Sequence, residues 1–207
     1  YLTALSQGAG ATAPSDLKTI DSDSTGIDVI ENDLNPYTDE INAFAYKSKG
    51  LGKMLGLENL YITFSGGNPR LGAKFRTCSF KETEAYSVLA RLDADEKRIL
   101  VVQSAGNTAR AFAQVCSDNK IPVVLCVPAD SLHDLWFSKK LNKCVKLVTV
   151  PHGCDYYDAI SIGEKLAQDP GFILEGGAKN IARRDGMGTT LLSFAEKTGR
   201  IPDAYFQ

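Results

Sequence analysis

The sequence predicts an α/β protein of three layers, a parallel β-sheet covered by helices on both faces. Three observations lead there. Short unbroken apolar runs such as Ile99-Leu100-Val101-Val102 and Pro122-Val123-Val124-Leu125-Cys126-Val127 read as strands buried on both sides. Between them lie segments whose apolar residues recur at i, i+3, i+4 and i+7, one face of a helix. From about residue 50 strands and helices alternate, the pattern of parallel crossover units.

Taken in order, Leu60-Tyr61-Ile62-Thr63-Phe64 is a strand closed by the turn residues Gly66-Gly67-Asn68-Pro69. Residues 80–92 put Ala85, Val88, Leu89 and Leu92 on one helical face, and Ile99–Val102 is the next strand. Residues 108–119 place Ala111, Phe112, Val115 and Cys116 on one side of a helix that leads to the strand 122–127. Val145-Lys146-Leu147-Val148-Thr149-Val150 is a further strand. A helix over 155–168 follows through Ala159, Ile160, Gly163, Leu166 and Ala167, with Asp155 as its N-cap. Phe172-Ile173-Leu174 is a short strand, 187–198 a last helix, and Ala204-Tyr205-Phe206 the start of another strand.

Composition sets the outer bounds. Of 207 residues 43% are hydrophobic and 23% charged, with 23 Lys and Arg against 25 Asp and Glu. That is globular and slightly acidic, a poor basis for general nucleic-acid binding, which draws on Lys and Arg against phosphates. No apolar run approaches the length of a membrane helix, and no basic-then-apolar leader opens the chain, so the sequence predicts a soluble protein with no membrane partner. The first 45 residues carry eight acids and one base. Residues 1–50 therefore read as an acidic, loop-rich lead-in, and 51–207 as an α/β coenzyme- and substrate-binding region. Gly8-Ala9-Gly10-Ala11-Thr12-Ala13 matches a loose dinucleotide fingerprint, but Pro14 and the acids after it make a poor helix.

Five cysteines, Cys78, Cys116, Cys126, Cys144 and Cys154, cannot all pair within one chain and form no CxxC. A four-thiolate zinc site is conceivable from the repeated interval of ten. The plainer reading makes Cys116 and Cys126 small core hydrophobes, so no metal site is assigned. Unpaired thiols favour a reducing, cytoplasmic compartment.

Chemistry gathers where parallel strands end and helices begin. In Thr77-Cys78-Ser79-Phe80-Lys81-Glu82, Ser79 and Glu82 have capping-box spacing, which puts Lys81 in the first turn of a helix. The macrodipole disfavours a cation there, and a neutral amine is what Schiff-base chemistry requires; an ordinary solvated lysine fits the same spacing. In Gln103-Ser104-Ala105-Gly106-Asn107-Thr108 a glycine opens a strand-to-helix turn whose free N–H groups suit a carboxylate or phosphate, with Asn107 and Thr108 beside them. The third stretch, Ala178–Gly188, sets Lys179, Arg183 and Arg184 beside a glycine-rich helix start, as an anion site or as a solvated basic face. His133 and His152, the two histidines, read as surface or packing residues.

Ser79-Phe80-Lys81, then a strand, then Ser104-Ala105-Gly106-Asn107-Thr108 resembles the fold type II pyridoxal-phosphate enzymes, with the architecture of tryptophan synthase β. Glu175-Gly176-Gly177-Ala178-Lys179-Asn180-Ile181-Ala182-Arg183-Arg184-Asp185-Gly186-Met187-Gly188, in the same order as the other two motifs, is similar to the cysteate synthase branch of the threonine-synthase relatives. Methanogenic archaea use that branch on the way to coenzyme M. Cys78 and Glu82 stand where threonine synthases usually carry Gly and Asp, which favours the cysteate branch.

The resemblance, which runs from about Leu57 to Gln207, implies pyridoxal 5′-phosphate held as a Schiff base on Lys81, which also shuttles the Cα proton. It implies that Asn107 bonds the coenzyme's 3-oxygen and that Ser104, Ala105, Gly106 and Thr108 hold the substrate carboxylate. The implied reaction replaces the phosphate of O-phospho-L-serine with sulfite to give L-cysteate; Lys179, Arg183 and Arg184 are the candidates for gripping the two anions. Threonine synthase activity on phosphohomoserine, or a non-catalytic α/β domain, are the alternatives. The family also implies a homodimer, and a glycine-rich phosphate loop and a hydroxyl partner for the pyridine nitrogen beyond Gln207, so the sequence reads as part of a longer enzyme.

Overall fold

The structure, a computed structural model, describes residues 43–68 and 73–207. Most of the acidic lead-in and the Gly8–Ala13 stretch lie outside the described residues. The chain divides into two compact units, Tyr1–Cys78 with Thr189–Gln207, and Ser79–Gly188.

In the first unit β1 (Phe44–Lys47) and β2 (Tyr61–Phe64) pair antiparallel, with Phe44 opposite Phe64 and Lys47 opposite Tyr61. A short helix, α1 (Gly50–Leu55), joins them and stops at Gly56, whose φ of 68° is the left-handed C-cap that glycine adopts without penalty. β1 lies inside the stretch that the sequence assigned to the lead-in. β3 (Gly67–Asn68) and β4 (Ala73–Lys74) form a second small antiparallel pair. Phe194 packs edge-on against Tyr61 at 5.2 Å.

The second unit carries the parallel sheet. β5 (Ile99–Gln103), β6 (Val123–Pro128), β7 (Val145–Val150) and β8 (Phe172–Leu174) lie in the order β7-β6-β5-β8, all parallel. Alternation along β5 sorts its side chains onto two faces. Leu100 and Val102 join Val123, Leu125, Val127, Phe112, Val115 and Cys116 in one core; Val101 joins Val124, Cys126, Val150 and Ala159 in the other. α2 (Lys81–Leu89) and α3 (Asn107–Asn119) cover the first face, and α4 (Tyr156–Leu166) the second. The three layers expected from the sequence are present. Cys116 and Cys126 fall on opposite faces of the sheet, which separates two of the four thiols a shared zinc would need. Burial pushes the Cys116 thiol up to about 12.

Helix α4 begins as read, Asp155 accepting the N–H groups of Tyr157 and Asp158 while Asp158 caps back onto Asp155 N–H. Three boundaries differ. The helix starts one residue later than expected, with Phe80 at the cap position, while the Ser79 hydroxyl accepts from Lys81 N–H at 3.3 Å, the serine's half of the expected capping box. Helix α5 (Ile181–Thr198) starts six residues before the expected 187 and runs through the boundary at Gly188. Gly186 falls just before the expected helix, but in the structure it lies inside it as a packing residue. A Cβ there would lie 2.4 Å from the Thr83 carbonyl oxygen and 2.8 Å from Glu84 Cα, so its absence lets α5 press against α2. Ala204–Phe206 is not a strand; none of the described residues pairs with it, and Phe206 is 90% exposed.

Candidate active site

The carboxyl ends of β5 and β8 and the N-terminal turns of α2, α3 and α5 contribute the functional side chains of the second unit. The parallel ladder sets the positions: Ser104 N–H donates to Cys126 O, and Glu175 N–H to Val101 O, so both residues stand directly beyond their strands. Gly106 N–H then bonds Ser104 Oγ at 3.2 Å, which turns the chain into α3 with Asn107 as its first helical residue. A Cβ at Gly106 would meet nothing within 4 Å. The space in front of this turn is open, and the N–H groups at the head of a thirteen-residue helix face outward there.

Lys81 opens α2, its side chain 24% exposed and its Nζ 4.3 Å from the centre of the Phe80 ring. The sequence argument set the helix dipole against a charged amine here. The structure adds a counter-charge: Glu84, one turn on and 1% exposed, accepts from Nζ at 2.6 Å. Glu84 also takes the Nε of Arg183. The same guanidinium reaches Glu175 Oε2 at 3.3 Å through Nη1 and Thr108 Oγ1 at 2.8 Å through Nη2. Arg183, from the third motif, thus bonds the helices α2 and α3 that open at the other two, and Gly186 one turn away lets α5 approach α2 closely.

Glu175 completes the network at a cost. Burial holds its carboxyl above the usual value of 4.5, against the downward pull of Arg183 and of the Gly177 N–H, which reaches Oε2 at 3.0 Å. Its Oε1 has no hydrogen-bond partner. Such a buried orphan oxygen marks a place where a donor group fits.

The remaining expected residues are distributed as follows. Asn107 is exposed and Thr108 buried, and Ala105 and Gly106 are half-buried at the turn. Lys179 and Arg184 are exposed, Arg184 Nε donating to the Ala178 carbonyl at 2.9 Å. Arg183 is no free anion receptor in this arrangement, since Glu84 and Glu175 already hold it. His152 is 83% exposed and bonded to Asp130, whose carboxyl is pulled below its usual range by the Gly153 N–H and by His152; His133 is 78% exposed. Sequence reasoning gave Glu84 and Glu175 no role. The signal for Glu84 was its i+3 spacing from Lys81 on a helix; Glu175 had no comparable signal, because it precedes α5 and its eight-residue separation from Arg183 is no helical spacing.

The second unit thus carries a primary amine at one helix start, an exposed amide at the next, an open glycine turn and a buried carboxylate oxygen without a partner. The family model "Pyridoxal-phosphate dependent enzyme" matches residues 40–207. The chain belongs to the pyridoxal-phosphate-dependent enzymes. The chain is 48% identical over 163 residues to the cysteate synthase of Methanocella paludicola, covering 78% of this chain and 38% of that protein. It is 49% identical over 163 residues to that of Methanococcoides burtonii (78% and 39%) and 44% identical over 170 residues to that of Methanosarcina acetivorans (82% and 41%). The chain spans about two fifths of the length of these relatives. Among solved structures it is similar to maize serine racemase, with a TM-score of 0.54 at 18% identity over 76% of this chain and 45% of that one. Apo diaminopropionate ammonia lyase of Escherichia coli gives 0.52 at 13% identity over 82% and 48%. These distant likenesses show a shared fold. Among the described residues no helix is long and apolar enough to cross a membrane.

Proposed function

We propose that the protein to which this chain belongs is a cysteate synthase, which exchanges the phosphate of O-phospho-L-serine for sulfite and releases L-cysteate and phosphate. The observation that carries the reading is 43–49% identity to curated cysteate synthases over 163–170 residues of this chain. Pyridoxal phosphate, when bound, withdraws electrons from the substrate's Cα so that the β-substituent can leave and another can add.

The chain's own residues orient and move protons. Lys81 is the residue that takes the coenzyme and then holds and returns the Cα proton at its Nζ. Glu84, which already bonds that nitrogen, keeps it in place at the mouth of α2. Asn107 donates to the coenzyme's ring oxygen. The turn Ser104-Ala105-Gly106 and the Thr108 hydroxyl receive the substrate carboxylate; the open space at Gly106 supports this assignment. Thr108 Oγ1 accepts from Arg183, which leaves its own proton to donate toward an anion.

Lys179 and Arg184, exposed at the head of α5, are the residues for phosphate or sulfite, and Arg183 becomes a positioning residue. Unpaired thiols on all five cysteines support a cytoplasmic home, and family resemblance supports a homodimer. The test incubates the full-length protein with pyridoxal phosphate, phosphoserine and sulfite and measures cysteate by mass spectrometry. Cysteate formed in step with phosphate is expected, with Lys179→Ala or Arg184→Ala raising the apparent KM for one of the two anions. Threonine from phosphohomoserine, with no cysteate from phosphoserine, would overturn the reading.

A further inference from the structure

Asn107 is the first residue of α3 and Arg110 lies one turn on, on the same side of the helix. Arg110 Nη1 donates to Asn107 Oδ1 at 3.1 Å. A guanidinium has five N–H donors and no acceptor. The amide atom turned toward Arg110 must therefore be the oxygen, which leaves the NH2 group on the other side. Arg110 is itself held. It is 8% exposed, and its guanidinium carbon lies 3.8 Å from the ring centre of Trp136, in the connection that follows β6. A flat cation stacked on an indole is restrained in tilt and position, as a lysine ammonium would not be.

We propose that Arg110, clamped against Trp136, is a positioning residue that fixes the Asn107 amide with its NH2 group toward the coenzyme's ring oxygen. The proposal rests on the reading that Asn107 meets that oxygen. An asparagine with no such neighbour presents either amide atom. Presenting oxygen to a ring oxygen that needs a donor loses the bond and adds repulsion, so half of the free orientations are unproductive. Arg110 removes the unproductive half before the coenzyme arrives. The sequence carries the pair as Asn107-Thr108-Ala109-Arg110, but the constraint comes from Trp136, which is 26 positions further along.

The test uses the full-length protein without substrate and reads coenzyme affinity together with the proportions of the bound coenzyme's long-wavelength absorption bands, which report the ionisation of the ring oxygen. Arg110→Gln offers an acceptor as well as a donor and so frees the amide to turn. It is expected to weaken pyridoxal phosphate binding about twofold, the cost of selecting one of two amide orientations, and to shift the band proportions part of the way in the direction given by Asn107→Ala. Arg110→Lys, which can still only donate, is expected to restore most of both signals. Trp136→Ala is expected to move them as Arg110→Gln does and Trp136→Phe to leave them near wild type, with far-ultraviolet circular dichroism checking that each variant folds. Wild-type affinity and spectrum in folded Arg110→Gln, alongside an altered Asn107→Ala, would overturn the role of Arg110 alone. An unaltered Asn107→Ala would overturn the reading of Asn107 on which it rests. Equal effects of Arg110→Gln and Arg110→Lys would mean that Arg110 acts through packing, and would also overturn the proposal.

Discussion

Replacing Arg183 with methionine keeps most of the side chain's length and apolar contact but removes its charge and its donors. In the structure that leaves two carboxylates without their shared cation: Glu84, 1% exposed, and Glu175, 4% exposed. Removing one partner from a buried ion pair costs about 3–5 kcal/mol, because the remaining charge stays out of water. The Lys81 amine still pairs with Glu84, so the expected loss lies toward the lower end of that range, about 3 kcal/mol at pH 7. The pH dependence gives a second handle. Burial already raises the Glu175 carboxyl above 4.5, so its contribution to stability is fully present below about pH 4.5 and is lost as the pH rises through its higher folded value. Arg183 is the largest pull in the other direction, and without it the folded value climbs further. The deficit of Arg183→Met should therefore be greatest near neutrality and shrink as the pH is lowered toward 4.5. Adding Glu175→Gln should recover part of it at pH 7. Urea unfolding of the full-length variants at several pH values measures all of this. A loss below 1 kcal/mol, or one that does not change with pH, would refute the claim that this arginine neutralises a buried acidic pair.

The other predictions follow from the backbone. Cys78 has a φ of 54°, a left-handed conformation that costs a residue with a Cβ about 1–2 kcal/mol. Cys78→Gly relieves that cost, which offsets glycine's extra entropy and the lost contact of Sγ beside Gly67; unfolding free energies are expected to match wild type within about 1 kcal/mol, with Cys78→Ala the less stable of the two. At Gly186 a methyl group would collide with the α2 backbone at Thr83 and Glu84. Gly186→Ala is expected to lose about 1–3 kcal/mol by overpacking and to weaken coenzyme binding as well, because α5 carries Arg183; thermal melts and a coenzyme titration check the two effects.

The left-handed Cys78 also gives a physical reason for one sequence difference. The position where threonine synthases usually carry glycine is a position whose backbone favours glycine, and this chain accepts the strain there. More generally, the sheet and its helices were readable because short apolar runs mark β5–β8 and a helical period of apolar residues marks α2–α4. The N-terminal turn of α5 was not, since Gly186 and Gly188 look like chain breakers until α2 is seen pressed against one of them. The individual motifs were readable for the same local reason: Lys81, Ser104–Thr108 and Lys179–Arg184 each stand at the head of a helix. Their wiring was not. Arg183 looks like an anion receptor beside Lys179 and Arg184, and only the fold supplies the two carboxylates that engage it. Ala204–Phe206 shows the converse, three residues with strand character and no pairing partner among the described residues.

The central claim is that Lys81, among all the lysines of this chain, is the one that takes the coenzyme. The direct measurement is borohydride reduction of the full-length protein saturated with pyridoxal phosphate, followed by proteolysis and mass spectrometry of the labelled peptides. The account predicts a single stoichiometric phosphopyridoxyl adduct on the peptide that carries Ser79-Phe80-Lys81, lost in Lys81→Ala with the fold intact. A stoichiometric adduct on another lysine, or none under saturating coenzyme, would contradict it.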